Sequence, residues 1–274
     1  MPELPEVESL RLALRPLLEN HLLGAVEVRQ GSLRYPVDSL LLGRALPGRR
    51  IRGLRRRGKY LLFDLDDGPS LLVHLGMSGR LALVPANLPF ARHDHVAFGL
   101  EDGLQLRFND ARRFGVVEVV PAGGEFRHRL LAHLGIEPLE KEFNAANLRN
   151  LAHGRRGPVK TFIMDARHVV GVGNIYACEA LFMAGIHPRR AAGRISVARW
   201  QRLATSVRRI LSAAIRQGGT TLRDYLNVAG EPGGYRRRLR VYGRRDEPCH
   251  RCRRPIRRVV LSGRGTFYCP GCQI

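Results

Sequence analysis

The sequence is short of lysine. Of 46 basic residues in a chain of 274, three are lysines, Lys59, Lys141 and Lys160. The remainder are arginines, so the three lysines are singled out as candidates for work that needs a side chain able to lose its proton, which arginine cannot do. Acidic residues are few as well, 24 against 46, which leaves a net charge of +22 and a pI near 11.3. Such a field repels cationic partners and attracts polyanions, supporting salt-sensitive binding to phosphate backbones, so nucleic acid is the expected partner. An anionic membrane surface fits less well, because there is no long amphipathic helix with a purely basic polar face. A run of eighteen apolar residues is also missing, so no membrane span is expected. The first residues are acidic, with no basic flank before an apolar run, so they do not read as a signal peptide. A cytoplasmic, nucleoid-associated protein is the expectation. Internal repeats and low-complexity tails are absent, while 44% apolar content over this length supports two domains with cores of their own.

Organisation follows from periodicity. From Pro5 to about Leu23, Val7, Leu10, Leu14, Leu17 and Leu18 recur at three- and four-residue steps. This predicts an amphipathic helix bent at Pro16 and ended by Gly24. The next hundred residues hold short β-type runs at 59–65, 70–75, 80–84, 95–100, 104–108 and 116–120. Asp67-Gly68 and Asp102-Gly103 fall between them as hairpin turns. Many short strands at this spacing predict a sandwich or barrel. A Gly- and Pro-punctuated linker follows from about Pro121 to Asn144, and the chain then turns helical. Two short helices are predicted on either side of VVGVGN, and a longer one opens at Ser196 and stops at Gly218-Gly219. From about 231 onward, twelve arginines face three acidic residues.

Four stretches carry chemistry. MPELPEVE places Pro2 behind a methionine that is normally trimmed, which leaves a secondary α-amine. Such an amine has a pKa of about 8 against about 10.4 for lysine, so roughly a tenth is unprotonated at pH 7. It is a ready nucleophile, and Glu3 beside it is a candidate proton donor or acceptor. Cys249-x-x-Cys252 and Cys269-x-x-Cys272, sixteen residues apart, have the spacing of a closed four-thiolate zinc site. The insert between the pairs predicts a hairpin with Arg264 near its tip, suited to clamping a phosphate. In VVGVGNIYACEALF, Gly171 and Gly173 allow a tight turn, and Asn174 opens a helix whose N–H groups face an anion. FNDARRFG sets Arg112, Arg113 and Phe114 in a loop between strands, a pattern fit to wedge into a base stack. Met77 in HLGMSG is either core filler or a soft probe at a loop tip.

MPELPEVE, RGKYLL, HLGMSG, HDHV, RRFG, VVGVGNIYACEALF, QGGTTLRD, VYGR and the terminal cysteine pairs occur in the order found in formamidopyrimidine-DNA glycosylases, and the chain resembles that family over its whole length. The resemblance implies an α+β multidomain fold. An N-terminal β-sandwich carries the N-terminal helix, and a C-terminal helical domain carries a helix–two-turn–helix motif and a zinc-finger β-hairpin, with DNA in the cleft between. It implies a monomeric enzyme that excises oxidised purines, chiefly 8-oxoguanine opposite cytosine and formamidopyrimidines, from double-stranded DNA and then nicks the abasic strand. It implies one structural Zn2+ on Cys249, Cys252, Cys269 and Cys272. By position, Pro2 is the nucleophile at C1′, Glu3 the acid/base partner, Lys59 the lysine of β-elimination and Arg264 the arginine of δ-elimination. His93, Arg113, Arg155, Lys160 and Asn174 fall at DNA-contact positions. Met77, Arg113 and Phe114 resemble the trio that fills the gap left by a flipped nucleotide. The boundaries this suggests are 1–133 for the catalytic domain, 134–146 for the linker, 147–230 for the helix–two-turn–helix domain and 231–274 for the C-terminal loop and zinc finger.

Three departures stand out. Ala111 replaces a proline before the two arginines. Gly234-Tyr235-Arg236 differs in the loop expected to cover the flipped base. Arg253 replaces a glycine common after the second zinc cysteine. Two other readings fit parts of the chain: an endonuclease VIII-type enzyme acting on oxidised pyrimidines, which lacks the same void-filling trio, and a zinc-finger protein that binds damage without chemistry, against which the Pro2-Glu3 pair and Lys59 speak.

Overall fold

A computed structural model describes residues 2–220 and 233–274. The chain forms two compact units. One comprises the residues up to Ala132 with Gly218–Thr220 and Gly233–Gly234; the other comprises His133–Gln217 and Tyr235–Ile274.

The first unit opens with helix α1 (Leu4–Leu18) and continues through β1 (Leu23–Val28), α2 (Ser39–Ala45), β2 (Ile51–Arg57), β3 (Tyr60–Leu65), β4 (Ser70–His74), β5 (Arg80–Pro85), β6 (Asp94–Leu100), β7 (Leu104–Asn109) and β8 (Val116–Val120). The strands form two antiparallel four-stranded sheets, ordered β1-β6-β7-β5 and β2-β3-β4-β8. Phe63, Leu71 and Val73 of one sheet and Val96, Phe98 and Phe108 of the other share a core with Val7, Leu10, Leu14 and Leu18 of α1. Each of these helix side chains is essentially excluded from water, an apolar transfer of roughly 2 kcal/mol apiece. The sandwich expected from strand spacing is therefore present.

Several elements differ from the sequence expectation, among them helix α2 inside the stretch expected to hold only strands. Helix α1 stops at Leu18, and Asn20 takes the left-handed conformation (φ +71°) that ends it, a backbone region asparagine tolerates. Gly24 lies instead inside β1, against Gly99 of β6. Strands β1 and β2 are additional to the expected set. Their polar residues hide the pattern: in IRGLRRR only Ile51 and Leu54 are buried.

The second unit contains α3 (Ala145–Ala152), α4 (Val159–Met164), α5 (Asn174–Ala184), α6 (Val197–Ile215) and a hairpin of β9 (Arg257–Leu261) and β10 (Arg264–Tyr268). Helix α5 is apolar on all sides and buried almost throughout, as expected of a central helix. It packs on α6, whose N-cap is Ser196 as the sequence predicts: the hydroxyl accepts from the Arg199 N–H. Gly218 and Gly219 beyond its end both have positive φ. No helix among the described residues is long and apolar enough to cross a membrane.

Candidate active site and nucleic-acid surface

In the first unit, Pro2 is buried immediately before α1. Glu3 and Glu6 form a reciprocal capping box, with the Glu3 N–H donating to Glu6 Oε2 at 2.7 Å. The other Glu6 oxygen accepts from the Thr220 N–H at 2.6 Å. Both carboxylates are 2% exposed. Glu6 thus ties the start of α1 to the chain that enters 221–232. Of the loop expected to cover the flipped base, 230–239, residues 230–232 lie outside the described residues. A Cβ at Gly219 (φ +85°) would fall 2.8 Å from Glu6 Oε1, so this approach needs glycine.

Lys59 occupies a two-residue turn between β2 and β3, with Gly58 at φ +57° supplying the left-handed position. Arg56 fixes that turn. Its Nη1 donates to the Gly58 carbonyl at 3.1 Å and its Nε to Glu8 at 2.9 Å. Glu8 also holds Arg11 at 2.7 Å. Burial pushes the Glu8 carboxyl up, but the Arg11 hydrogen bond and the Arg56 charge outweigh it and hold the group below the usual range. Glu8 therefore connects the helix that begins at Pro2-Glu3 to the turn that carries Lys59. His74 pairs with Tyr60 across the sheet, their rings 4.7 Å apart. Its Nδ1 accepts from the Gly76 N–H at 3.0 Å, which leaves the ring proton on Nε2. Burial, then the charges of Lys59 and Arg34, push its pKa down to about 3, so it is neutral at pH 7.

The loops of Met77 and Arg113-Phe114 are locked together. Asp110 is fully buried and accepts from the Ser78 hydroxyl at 2.5 Å and the Gly115 N–H at 2.7 Å. A side chain at Gly76 (φ +61°) would put its Cβ 2.4 Å from the Phe114 carbonyl carbon. Arg113 itself stands at φ +56°. The result presents Arg112, Arg113 and Phe114 to solvent, with Phe114 44% exposed and the Arg112 guanidinium over its ring, and leaves Met77 half-buried beside them. His93 joins this region through its carbonyl, which accepts from the Asp110 N–H at 3.0 Å.

In the second unit, Lys160, Asn174 and the zinc hairpin converge. Lys160 is 1% exposed, and its ammonium donates to Asn174 Oδ1 at 2.5 Å and to the Thr266 hydroxyl at 2.7 Å. Asn174 donates in turn to the Gly265 carbonyl at 2.9 Å and to the Tyr242 hydroxyl at 3.4 Å. Arg264, exposed at the start of β10, follows a turn in which Ser262 and Gly263 both have positive φ. Lys160, expected to touch DNA, is buried here and bonded to both Asn174 and β10. Glu179, buried in α5, accepts from the N–H groups of Arg240, Val241 and Tyr242 at 2.8–2.9 Å and so fixes Tyr242. Burial pushes this carboxyl up against the pull of the three amides.

The four cysteine sulfurs of Cys249, Cys252, Cys269 and Cys272 lie within 4.8 Å of one another, with cross pairs at 3.9 and 3.4 Å. Zn–S bonds of about 2.3 Å in a tetrahedron place sulfurs about 3.8 Å apart, so the set fits one closed structural zinc. Arg155 lies on the 153–158 turn, exposed, with its Nε donating to the Leu151 carbonyl.

The first unit thus carries a buried carboxylate beside Pro2 and an exposed arginine–phenylalanine loop, and the second a four-cysteine hairpin that fits one structural zinc. Family models match in succession: the formamidopyrimidine-DNA glycosylase N-terminal domain over residues 1–117, its H2TH domain over 134–225 and the zinc finger found in FPG and IleRS over 246–274. A formamidopyrimidine-DNA glycosylase of Methylococcus capsulatus is 52% identical, with both chains covered completely. The MutM (FPG) protein of Thermus thermophilus superposes with a TM-score of 0.88 at 41% identity, covering 99% of this chain and 98% of that one. A Lactococcus lactis FPG mutant in complex with a Fapy-dG-containing DNA superposes at 0.91 and 32% identity, with 99% of each chain covered. The chain belongs to the formamidopyrimidine-DNA glycosylase family.

Glu6, Glu8, His74, Asp110, Glu179 and Tyr242 are the structural partners that sequence reasoning passed over. Glu179 had a signal, a lone carboxylate inside the apolar run NIYACEALFMA. The others sit inside or beside motifs already singled out, but their work is to hold neighbours, which spacing does not reveal.

Proposed function

We propose that the protein excises oxidised purines, 8-oxoguanine opposite cytosine and formamidopyrimidines, from duplex DNA, cleaves the strand by successive β- and δ-elimination, and acts in association with the nucleoid. The observation that carries this reading is the buried capping box behind Pro2. With Met1 removed, the secondary amine of Pro2 attacks C1′ of the damaged nucleotide. Glu3, adjacent and buried, handles the protons of base departure and sugar-ring opening. The resulting iminium acidifies the C2′ proton, so the 3′ phosphate leaves. Lys59 lies in a region where neutral His74 adds no second charge, and assists that elimination. Arg264, raised on the zinc hairpin, serves the second elimination at the other phosphate.

Extrusion of the nucleotide costs a few kcal/mol. Phe114 and Arg113 are already exposed on a loop pinned by Asp110, so filling the vacated space requires little reordering. Zinc holds the hairpin and takes no part in bond breaking, because four thiolates leave no open coordination position.

Borohydride trapping tests the reading, using a duplex with one 8-oxoguanine opposite cytosine, a dihydrouracil duplex, and a Pro2→Gly variant. The expected result is a reduced covalent adduct, strongest on the purine lesion and lost or crippled in the variant. Trapping mainly on dihydrouracil, or full trapping by the variant, would overturn it. Intact mass of the purified protein should show Met1 absent.

A further inference from the structure

Three open cavities of about 400, 530 and 580 Å3 adjoin one another on the second unit. The first and second share Arg155 and Arg156; the second and third share Arg194, and the third adds Arg189 and Arg190. The arginines that line them come from two turns more than thirty residues apart, which hydrogen bonds fuse into one piece. The Ala192 N–H donates to the Gly157 carbonyl and the Gly193 N–H to the Arg155 carbonyl, both at 2.9 Å, while the Val159 N–H donates to the Arg190 carbonyl at 2.7 Å. Gly193 is needed there, since a Cβ would meet Arg155 O at 2.9 Å.

The charge on this piece is uncompensated. Among the described residues, none of these five arginines enters an ion pair. The Arg190 Nε is buried and makes no hydrogen bond. Asp165, which lines the first cavity, is committed to Arg167 at 2.7 Å. His187, at the far end, is pushed down by burial and then by the charges of Arg189 and Arg190, so it adds no further positive charge at pH 7. Five like charges held together without an ion pair cost folding free energy, and an external anion relieves that cost. At its near end the piece abuts the zinc hairpin: the Thr161 hydroxyl, lining the first cavity, lies 3.3 Å from the Ser262 hydroxyl at the hairpin turn.

We propose that this fused pair of turns is a phosphate track that grips the backbone of duplex DNA flanking the damaged site. Five guanidiniums spread over three adjoining cavities exceed what one small anion needs and suit a ladder of phosphodiesters. The proposal rests on the DNA-binding reading above, and it assigns these arginines to affinity rather than to chemistry.

The test compares the wild type with Arg189→Ser combined with Arg194→Ser, two side chains outside the catalytic set. Binding to a 30-base-pair duplex carrying one 8-oxoguanine is measured between 50 and 200 mM salt. Each lost phosphate contact lowers the slope of log K against log salt by about 0.9, so the double variant should lose about 1.8. Arg189→Lys with Arg194→Lys should keep the slope. Single-turnover trapping at saturating enzyme should be equal in all three. An unchanged slope in the serine variant, or an equal loss in the lysine variant, would overturn the track. Failure of the wild type to trap would sink the catalytic reading instead, and the slopes would still decide the track.

Discussion

Replacing Thr266 with valine tests whether the zinc hairpin is held by the buried lysine. Thr266 is fully buried, and its hydroxyl accepts from the Lys160 ammonium at 2.7 Å while donating to the Arg264 carbonyl at 3.1 Å. Valine keeps the shape and removes both bonds. Loss of an acceptor for a buried charged donor costs about 1.5–3 kcal/mol, and the second bond is worth about 1. The added methyl returns about 0.8 kcal/mol of apolar burial. The net destabilisation is therefore about 2–3 kcal/mol. The single tryptophan, Trp200, is buried in α6 of the same unit and reports its unfolding. With a urea dependence of about 1.5–2 kcal/mol per molar, the midpoint of zinc-replete protein should fall by about 1–2 M. Thr266→Ser keeps the hydroxyl and should stay close to wild type. A valine midpoint within about 0.3 M of wild type at equal slope would refute the reasoning, because Lys160 would then need no partner on β10. A weakened hairpin should also raise the proportion of β- over δ-elimination product.

Three further outcomes follow from the same geometry. Removing zinc with a chelator should melt the β9–β10 hairpin and abolish DNA binding; retained affinity after verified stoichiometric zinc loss would contradict a structural role. Arg253 stands at φ +66°, left-handed, where the family commonly has glycine; Arg253→Gly should stabilise the finger by about 0.5–1 kcal/mol, read as slower zinc release to a competing chelator. His74 is depressed from 6.5 to about 3 in the folded chain, so between those values the unfolded chain binds the extra proton. The stability this gives is full above pH 6.5, falls as pH is lowered and is exhausted near pH 3, with a slope of at most about 1.4 kcal/mol per pH unit. His74→Gln should flatten the fall between about pH 6 and 4.5, and an identical profile in the variant would show that the histidine is not held neutral.

What is legible in the sequence and what is not divides along a physical line. Period-two apolar runs such as KYLLFDL and the Ser196 cap state their own conformation, and both elements form where expected. Strand β2 does not, because its exposed face is arginine and only two of its seven residues are buried. The end of α1 departs from expectation for a related reason. Glycine is the commoner helix stop, yet Asn20 supplies the left-handed turn, and Gly24 answers a different demand inside β1. The zinc ligands are legible because tetrahedral coordination imposes a spacing.

The residues that orient the proposed catalytic and DNA-contacting set are not legible, since each acts across a separation that no local pattern encodes. Glu6 reaches Thr220, Asp110 reaches Ser78, and Lys160 reaches Thr266, spans of 214, 32 and 106 residues. In every case a buried charged group holds a backbone or hydroxyl beside a residue expected to meet DNA. That arrangement is costly unless fully bonded, so its repetition at Pro2-Glu3, at the Arg113 loop and at the Arg264 hairpin has a common reading. The chain spends burial of charge on fixing short, exposed segments in advance, and binding energy need not be consumed in ordering them. Lysine scarcity takes on a sharper meaning in this light. Lys59 sits on a tight turn propped by Arg56, and Lys160 is a compact ammonium in a pocket where a planar guanidinium would displace Asn174 or Thr266.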